Sequence, residues 1–261
     1  MESTIRPIID TMKPITLQEM KCIRLMDRID SKFVAPVSIL PELLKEMSPF
    51  FKVQINDIGN RIAPYSTQYF DTPDLGMFVM HQNGKLNRQK IRIRTYIDVS
   101  QSHLEVKNKN NKGRTKKVRV SIDDSHVKSV QDLKEKKSFL DEHSLFNSNT
   151  LVPSLANEFK RITLVNNRAT ERITIDLDLS FHNYLTNETR SLGDLVIIEL
   201  KQDGMQHSDF LDILMNFRIK KMSFSKYCMG TVVTNPQIKY NRFKRRWALI
   251  NKQILLLTNN K

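Results

Sequence analysis

The sequence predicts an α+β fold: a closed antiparallel β-barrel with a polar, cationic interior and helices packed on the outside. Three observations carry this expectation. Stretch after stretch alternates residue by residue, the period a strand imposes because successive side chains point to opposite faces. In these stretches Arg or Lys repeatedly occupies one face and aliphatic residues the other, with Asp or Glu among the cations. Segments with helical spacing lie between them and supply an apolar cover. For one strand alone, a sheet with its charged face in water is the simpler alternative, but it gives no reason for the repetition. A barrel with an ion-lined interior does.

The elements follow in order. Thr16 with Glu19 three positions on is a capping-box pattern, followed by Leu17, Met20, Ile23 and Leu25 or Met26 at helical spacing. Residues 1–26 thus read as a helical lead-in. DRIDSKFV then places Arg28, Asp30 and Lys32 on one strand face and Ile29 and Phe33 on the other. Val37 to Met47 carries a helical stripe of Leu40, Leu43, Leu44 and Met47 and stops at Ser48 and Pro49. Strands are expected at Phe51 to Ile58 and Ala63 to Phe70. Asp71 or Thr72 caps a short helix with Pro73 at its first position and Gly84 just past its end.

The most regular stretch runs from Lys90 to Lys109 and reads as two strands. Lys90, Arg92, Arg94 and Tyr96 oppose Ile91, Ile93 and Ile97; then Glu105, Lys107 and Lys109 oppose Leu104 and Val106. Asn110 to Gly113 forms a hairpin tip, and Lys117 and Arg119 oppose Val118 and Val120 on the return. Residues 123–147 read as a helical insertion anchored by Val130, Leu133, Phe139 and Leu140. Alternation resumes from Glu158. Arg161 falls on one strand; Arg172, Thr174, Asp176 and Asp178 line the next against Ile173, Ile175 and Leu177; Glu199 and Lys201 oppose Val196, Ile198 and Leu200 on a third. Phe210 to Phe217 and the FSKYCMG segment, Phe224 to Gly230, are helical. The expected domain spans 27–235, with a basic tail over 236–261 that either packs on the domain or lies on an anionic membrane surface.

Forty-two Lys and Arg against 28 Asp and Glu give a formal charge of +14. This favours polyanionic partners: phosphate compounds, an acidic membrane surface or nucleic acid. Nucleic acid is not expected, because aromatic residues do not interleave with the basic strands as base stacking requires. Cys22 and Cys228 make neither a disulfide framework nor a metal spacing. No membrane-length apolar run and no secretory-type start occur, so the expected location is cytoplasmic, with peripheral attachment at the inner face of the membrane left open by the tail.

Cations facing inward in such number require compensation by water, carboxylates or a polyanionic ligand. Arginine's planar fork binds phosphate oxygens bidentately, while lysine supplies point charges. Carboxylates among cations suit Mg²⁺ or Mn²⁺, which take oxygen ligands and bridge to phosphates. Glu199 is the first candidate ligand, with an internal ion pair to Lys201 or Lys107 as its alternative role.

DRIDSKF, YFDTPDL, NGKLNRQKIRIRTY, HLEVKNKNNKGR, RITIDLDL, VIIELK and FSKYCMG occur in this order, and together they resemble the VTC (vacuolar transporter chaperone) domains of bacteria, a branch of the triphosphate tunnel metalloenzymes related to the CYTH group. The resemblance spans about Pro14 to Phe243. It implies an eight-stranded tunnel barrel and polyphosphate synthesis from ATP with a divalent metal, Mn²⁺ or Mg²⁺. By motif, Lys32 resembles the tunnel-mouth lysine, Arg92 and Arg94 the RxR pair on the nucleotide phosphates, and Lys107, Arg161 and Arg172 further wall contacts, with Arg119 as an additional candidate. Glu199 resembles the metal-binding Glu of ELK, Lys201 its neighbour, and Lys226 the SKY lysine. CYTH relatives open with ExExK, whereas Arg28, Asp30 and Lys32 stand here, which fits the VTC branch better.

The leading expectation is a polyphosphate polymerase that moves the γ-phosphate of ATP onto a growing polyphosphate chain, with Arg92, Arg94 and Lys226 as its catalytic residues. A tripolyphosphatase or nucleoside triphosphatase is the second, needing a water-orienting carboxylate, Glu105 or Glu158. A non-catalytic polyphosphate or inositol-phosphate binding module is the third. A membrane-protein partner is compatible with each. No P-loop or kinase motif set is present.

Overall fold

The computed structural model describes residues 1–23, 28–122 and 136–258. In chain order it contains α1 (Glu2–Thr11), β1 (Pro14–Thr16), α2 (Leu17–Cys22), β2 (Arg28–Pro36), α3 (Leu40–Met47), β3 (Phe51–Ile55), β4 (Ala63–Asp71), α4 (Gly76–Gln82), β5 (Arg88–Tyr96), β6 (Gln101–Lys109) and β7 (Thr115–Ile122). Then come α5 (Lys137–His143), β8 (Val152–Asn166), β9 (Glu171–Asn183), β10 (Thr189–Ser191), β11 (Leu195–Asp203), α6 (Asp209–Asn216), α7 (Lys226–Thr234) and α8 (Asn241–Thr258).

Eight strands hydrogen-bond in the order β2-β11-β9-β8-β4-β5-β6-β7, every neighbouring pair antiparallel. The expectation of a closed barrel is corrected here. Among the described residues no ladder joins β2 to β7, so the sheet stays open. The outward side of β2 is met instead by the segment before α7: Phe33 bridges to Lys221, and Met222 N–H donates to the Lys32 carbonyl at 2.8 Å. Lys32 on β2 and Lys117 on β7 nevertheless face the same interior.

The apolar faces are covered as their periodicity requires. Ile173, Ile175, Ile198 and Leu200 pack with Ile5 and Ile9 of α1, Leu43 and Leu44 of α3 and Phe210 of α6. Ile91, Ile93, Leu104 and Val106 pack with Met77 of α4 and Leu140 of α5. Each buried aliphatic side chain contributes about 1.5–3 kcal/mol relative to exposure. One end of the interior is filled by α7, whose Tyr227, Cys228 and Met229 pack with Tyr69, Phe159 and Phe181. Only glycine fits at position 230, where a Cβ would lie 2.4 Å from Phe181 Cδ1 and 2.5 Å from Leu155 Cδ2.

The expected cap at Asp71 has a larger part than its position suggested. Its carboxylate accepts from the N–H groups of Met77 (2.8 Å) and Phe78 (3.0 Å) at the start of α4, and from the Tyr227 hydroxyl of α7. It therefore ties α4 to α7. The helix begins at Gly76 rather than at Pro73, while Gly84, at φ +71°, follows its end as expected. The capping box of Thr16 and Glu19 forms in full, but α2 stops at Cys22; Leu25 and Met26 lie outside the described residues. β3 ends at Ile55, short of Ile58, because the Asn56 side chain accepts from the N–H groups of Ile58 and Asn60 and turns the chain. Of the expected insertion, 123–135 lie outside the described residues, and α5 buries Leu140. The helical lead-in is split by β1 into α1 and α2, and neither β1 nor β10 is expected from the sequence. The tail forms α8, with Phe243 and Ile250 buried. No described helix is long and apolar enough to cross a membrane.

Candidate functional site

Strand parity delivers the inward side chains. Lys90, Arg92 and Arg94 from β5, Lys107 from β6 and Lys117 from β7 line one side of a cavity of about 360 Å³. Across it stand Arg161 of β8, Asp176 of β9, Glu199 and Lys201 of β11, and Asp30 and Lys32 of β2. Ser225 and Lys226 enter from the start of α7. Among the described residues nine cationic side chains thus face three carboxylates in one space. Both end strands of the open sheet contribute to it, so the sheet curls around a common interior without closing.

Two of these carboxylates, Glu199 and Asp176, are committed to ion pairs. Glu199 lies 2.6 Å from Lys32 Nζ and 3.7 Å from Lys201 Nζ. Burial opposes its charge, but Lys201 and Lys32 outweigh burial and hold its carboxyl well below the usual range. Asp176 accepts two bonds from Arg161, at 2.6 and 2.8 Å, and a third from Lys226. It is likewise held far below its ordinary pKa against the effect of burial. Behind the wall, Glu105 is almost fully buried between Arg92 (2.7 Å) and Lys117 (2.9 Å), and these charges with Arg94 bring it down to about 2 despite burial.

The cations exceed this compensation. Burial pushes Lys201 and Lys226 down to about 8, and burial together with Lys90 and Arg92 does the same to Lys107. Lys90, also lowered by burial, donates to Ser225 Oγ at 3.0 Å. Arg94 Nε is buried with no hydrogen-bond partner among the described residues. Aromatic faces soften part of the excess: the Lys226 ammonium sits 4.3 Å from the Phe159 ring centroid, and the Arg161 guanidinium 5.2 Å from those of Tyr65 and Phe159.

Of the residues singled out in the sequence, Lys32, Arg92, Arg94, Lys107, Arg161, Glu199, Lys201 and Lys226 converge on this cavity. Arg172 does not. It lines an adjoining cavity of about 390 Å³ and donates to the carbonyls of Met20 (3.0 Å) and Ile23 (3.5 Å). Arg161 and Lys201 line both spaces. Arg119 is exposed and stands outside the lining, and Glu158 is exposed as well. Asp178 also leaves the expected face. The β8–β9 register shifts between Glu158 and Lys160, Asp178 adopts φ +53°, and its carboxylate meets Lys160 at 3.1 Å. Lys90 and Lys117, which alternation places on the cationic faces but no motif singles out, also line the cavity, as do Ser225 and Tyr69. Parity with Arg92 marked Lys90, and cross-strand register with Lys107 marks Lys117.

Among the described residues no three His, Cys, Asp or Glu side chains converge as a ready-made metal cage. What the cavity offers a cation is Glu199, with Asp30 on the neighbouring strand and diagonal to it. That donor set suits a hard divalent ion held by one or two carboxylates and completed by phosphate oxygens and water.

The family model for the VTC domain matches residues 27–235. No curated protein matches the chain. Among solved structures, a candidate adenylate cyclase from Vibrio parahaemolyticus aligns at 11% identity, over 79% of this chain and 99% of that one, with a TM-score of 0.46. A candidate adenylyl cyclase from Hippeastrum, reported to have a dominant triphosphatase activity, aligns at 16% identity over 77% and 94%, also at 0.46. A protein from Pyrococcus horikoshii aligns at 14% identity over 81% and 99%, at 0.45.

Proposed function

The chain belongs to the VTC domain family, and from that premise we propose that it is a polyphosphate polymerase, transferring the γ-phosphate of ATP to a growing inorganic polyphosphate chain inside the cationic cavity. The observation that carries this reading is the surplus, among the described residues, of nine cations over three carboxylates in a single space, with Glu199 and Asp176 already engaged by lysine or arginine. Such a space is compensated best by a ligand with many closely spaced negative charges. In this reading Arg92 and Arg94 hold the nucleotide phosphates, and Lys32, Lys107, Arg161 and Lys201 hold the rest of the phosphate chain. Lys226, anchored through Asp176, sets a positive charge at the mouth of α7. Arg172, in the adjoining cavity, is placed only for the part of a ligand that extends beyond the central one.

The transfer needs no side-chain nucleophile. A terminal phosphate oxygen of the chain forms a bond to the γ-phosphorus as the bond to the β–γ bridging oxygen breaks, and the electron pair leaves with ADP. The protein's part is to align the two and to neutralise charge on the transferring group and the leaving oxygen. Arg92 is oriented for this by Glu105, while the buried Arg94 Nε has no hydrogen-bond partner among the described residues. Mn²⁺ or Mg²⁺, when bound, would supply further neutralisation of the phosphate oxygens. Glu199 would hold it, releasing Lys32 and Lys201 to the phosphates.

The hydrolase reading is less well supported, because its two candidate water-orienting groups are badly placed: Glu105 is locked between Arg92 and Lys117, and Glu158 is exposed. Purified protein incubated with ATP and Mn²⁺ separates the readings. Long-chain polyphosphate is expected; orthophosphate alone would favour hydrolysis, and binding without turnover a non-catalytic module.

A further inference from the structure

The central cavity continues beyond its own walls. Lys90, Lys107 and Thr115 also line a second cavity of about 210 Å³, completed by His81, Arg88 and Lys109. Among the described residues no carboxylate lines this space. Arg88 Nε is buried with no hydrogen-bond partner among the described residues. α8 brings one more cation to its rim: Arg242 lies so close over Gly84 that a Cβ there would sit 2.3 Å from its Nη1. Arg246 follows one turn on, while buried Phe243 and Ile250 hold α8 against the domain. His81 registers the excess. Burial and the charges of Lys90 and Arg88 on β5, Lys109 on β6 and Arg242 on α8 push its pKa down to about 3, so at neutral pH it stays uncharged amid cations. The adjoining cavity has a mixed character: beside Lys21, Arg161, Arg172 and Lys201, its lining includes the aspartates Asp57 and Asp98 and the apolar side chains of Leu17, Met20 and Pro64.

We infer that the second cavity, continued over the surface by Arg242 and Arg246, is an outer binding site for a linear phosphate polyanion too long for the central cavity. The inference rests on reading the central cavity as a phosphate-chain site and adds the direction in which the chain leaves it. Past Lys90 and Lys107, a negative chain meets Arg88 and Lys109 and then Arg242 of α8, with no carboxylate among the described residues that line the cavity. Toward the adjoining cavity it would meet Arg172 and Lys21 as well, but also two aspartates and apolar groups that repel or fail to hold it. Short anions fill the centre alone, whereas long ones gain the outer contacts, with a correspondingly stronger dependence on salt.

The test is equilibrium binding of tripolyphosphate and of long-chain polyphosphate, each over a range of salt concentrations. It compares the full chain with the double variant Lys109→Glu, Arg242→Glu. Both positions are exposed, and thermal melting checks that the variant stays folded. A second variant, Lys13→Glu with Lys45→Glu, makes the same change in net charge at exposed positions outside these cavities. The expected result is that the first variant binds long chains about tenfold or more weakly at low salt and with a shallower salt slope. Its affinity for tripolyphosphate should stay within about threefold, because solvent screens the altered charges from the centre. The control should bind both anions as the wild type does. Unchanged long-chain binding in the first variant, or equal loss in the control, overturns the inference while leaving the central site intact. If the wild-type chain binds neither anion, the reading of the central cavity falls and this inference with it.

Discussion

At the cavity wall, Glu199 and Arg94 are expected to fail in different ways. Glu199→Gln keeps size and hydrogen bonding but removes the charge proposed to hold the metal, so phosphoryl transfer from ATP should lose its Mn²⁺ dependence and collapse while nucleotide still binds. Turnover with wild-type metal dependence would reduce Glu199 to an ion-pair residue of Lys32 and Lys201. Arg94→Ala should weaken ATP binding and turnover together, and Arg94→Lys should restore only part of either, because an ammonium cannot reproduce the fork. The lysines give a second handle. Lys107, Lys201 and Lys226 titrate at about 8 in the free protein, and a bound polyanion favours their charged forms. Above that pH the complex holds more protons than the free protein, so affinity falls as pH rises. Each lysine contributes up to about tenfold per pH unit, and tripolyphosphate affinity measured from about pH 7 to 10 should show it; a flat profile would contradict the crowding of these ammonium groups.

Single elements were legible in the sequence wherever one face had one job. β5 and β6 could be read outright, because Ile91 and Ile93 lie under α4 and α5 while Arg92 and Arg94 face the cavity. Truncating Ile93 or Ile175, which are 2% and 0% exposed, to Ala should cost about 2–5 kcal/mol of stability. Chemical denaturation would read that loss, and an unshifted midpoint would mean the site tolerates collapse. Legibility failed where a distant or single-residue event decided the outcome. Arg172 shares the parity of Asp176, yet the carbonyls that end α2 draw its guanidinium into the adjoining cavity. One positive φ takes Asp178 off its face. Neither event leaves a mark in local periodicity.

Across the whole molecule, the open seam between β2 and β7 had no sequence signal either, since a strand's alternation is the same whether or not its edge is paired. The surplus charge of the interior has a measurable cost there. Lys107, Lys201 and Lys226 have folded-state pKa values of about 8, below the ordinary lysine value near 10.5 that the unfolded chain retains. Between these limits the unfolded chain binds more protons, so the stability of the ligand-free protein should rise with pH while its affinity for polyanions falls. Tripolyphosphate at a hundred times its Kd should stabilise the fold by about 2.7 kcal/mol. Thermal melting with and without the anion, at two pH values, would reveal both trends; a melting temperature indifferent to both would contradict a strained cationic interior.

The pairing of β2 with β11 also sets a schedule. Lys32 finds Glu199 across the ladder, so β2, made early, has no strand partner until β11 is made. At ~5–20 residues per second on the ribosome, that is a delay of roughly ten to thirty seconds. Through that interval its Ile29 and Phe33 stand unpaired, in company with the unmatched backbone that invites neighbouring chains to add on. Asp30 and Lys32 alternate with them, and charged side chains are the usual deterrent to such additions. The lysine that later faces the cavity thus guards the nascent strand first.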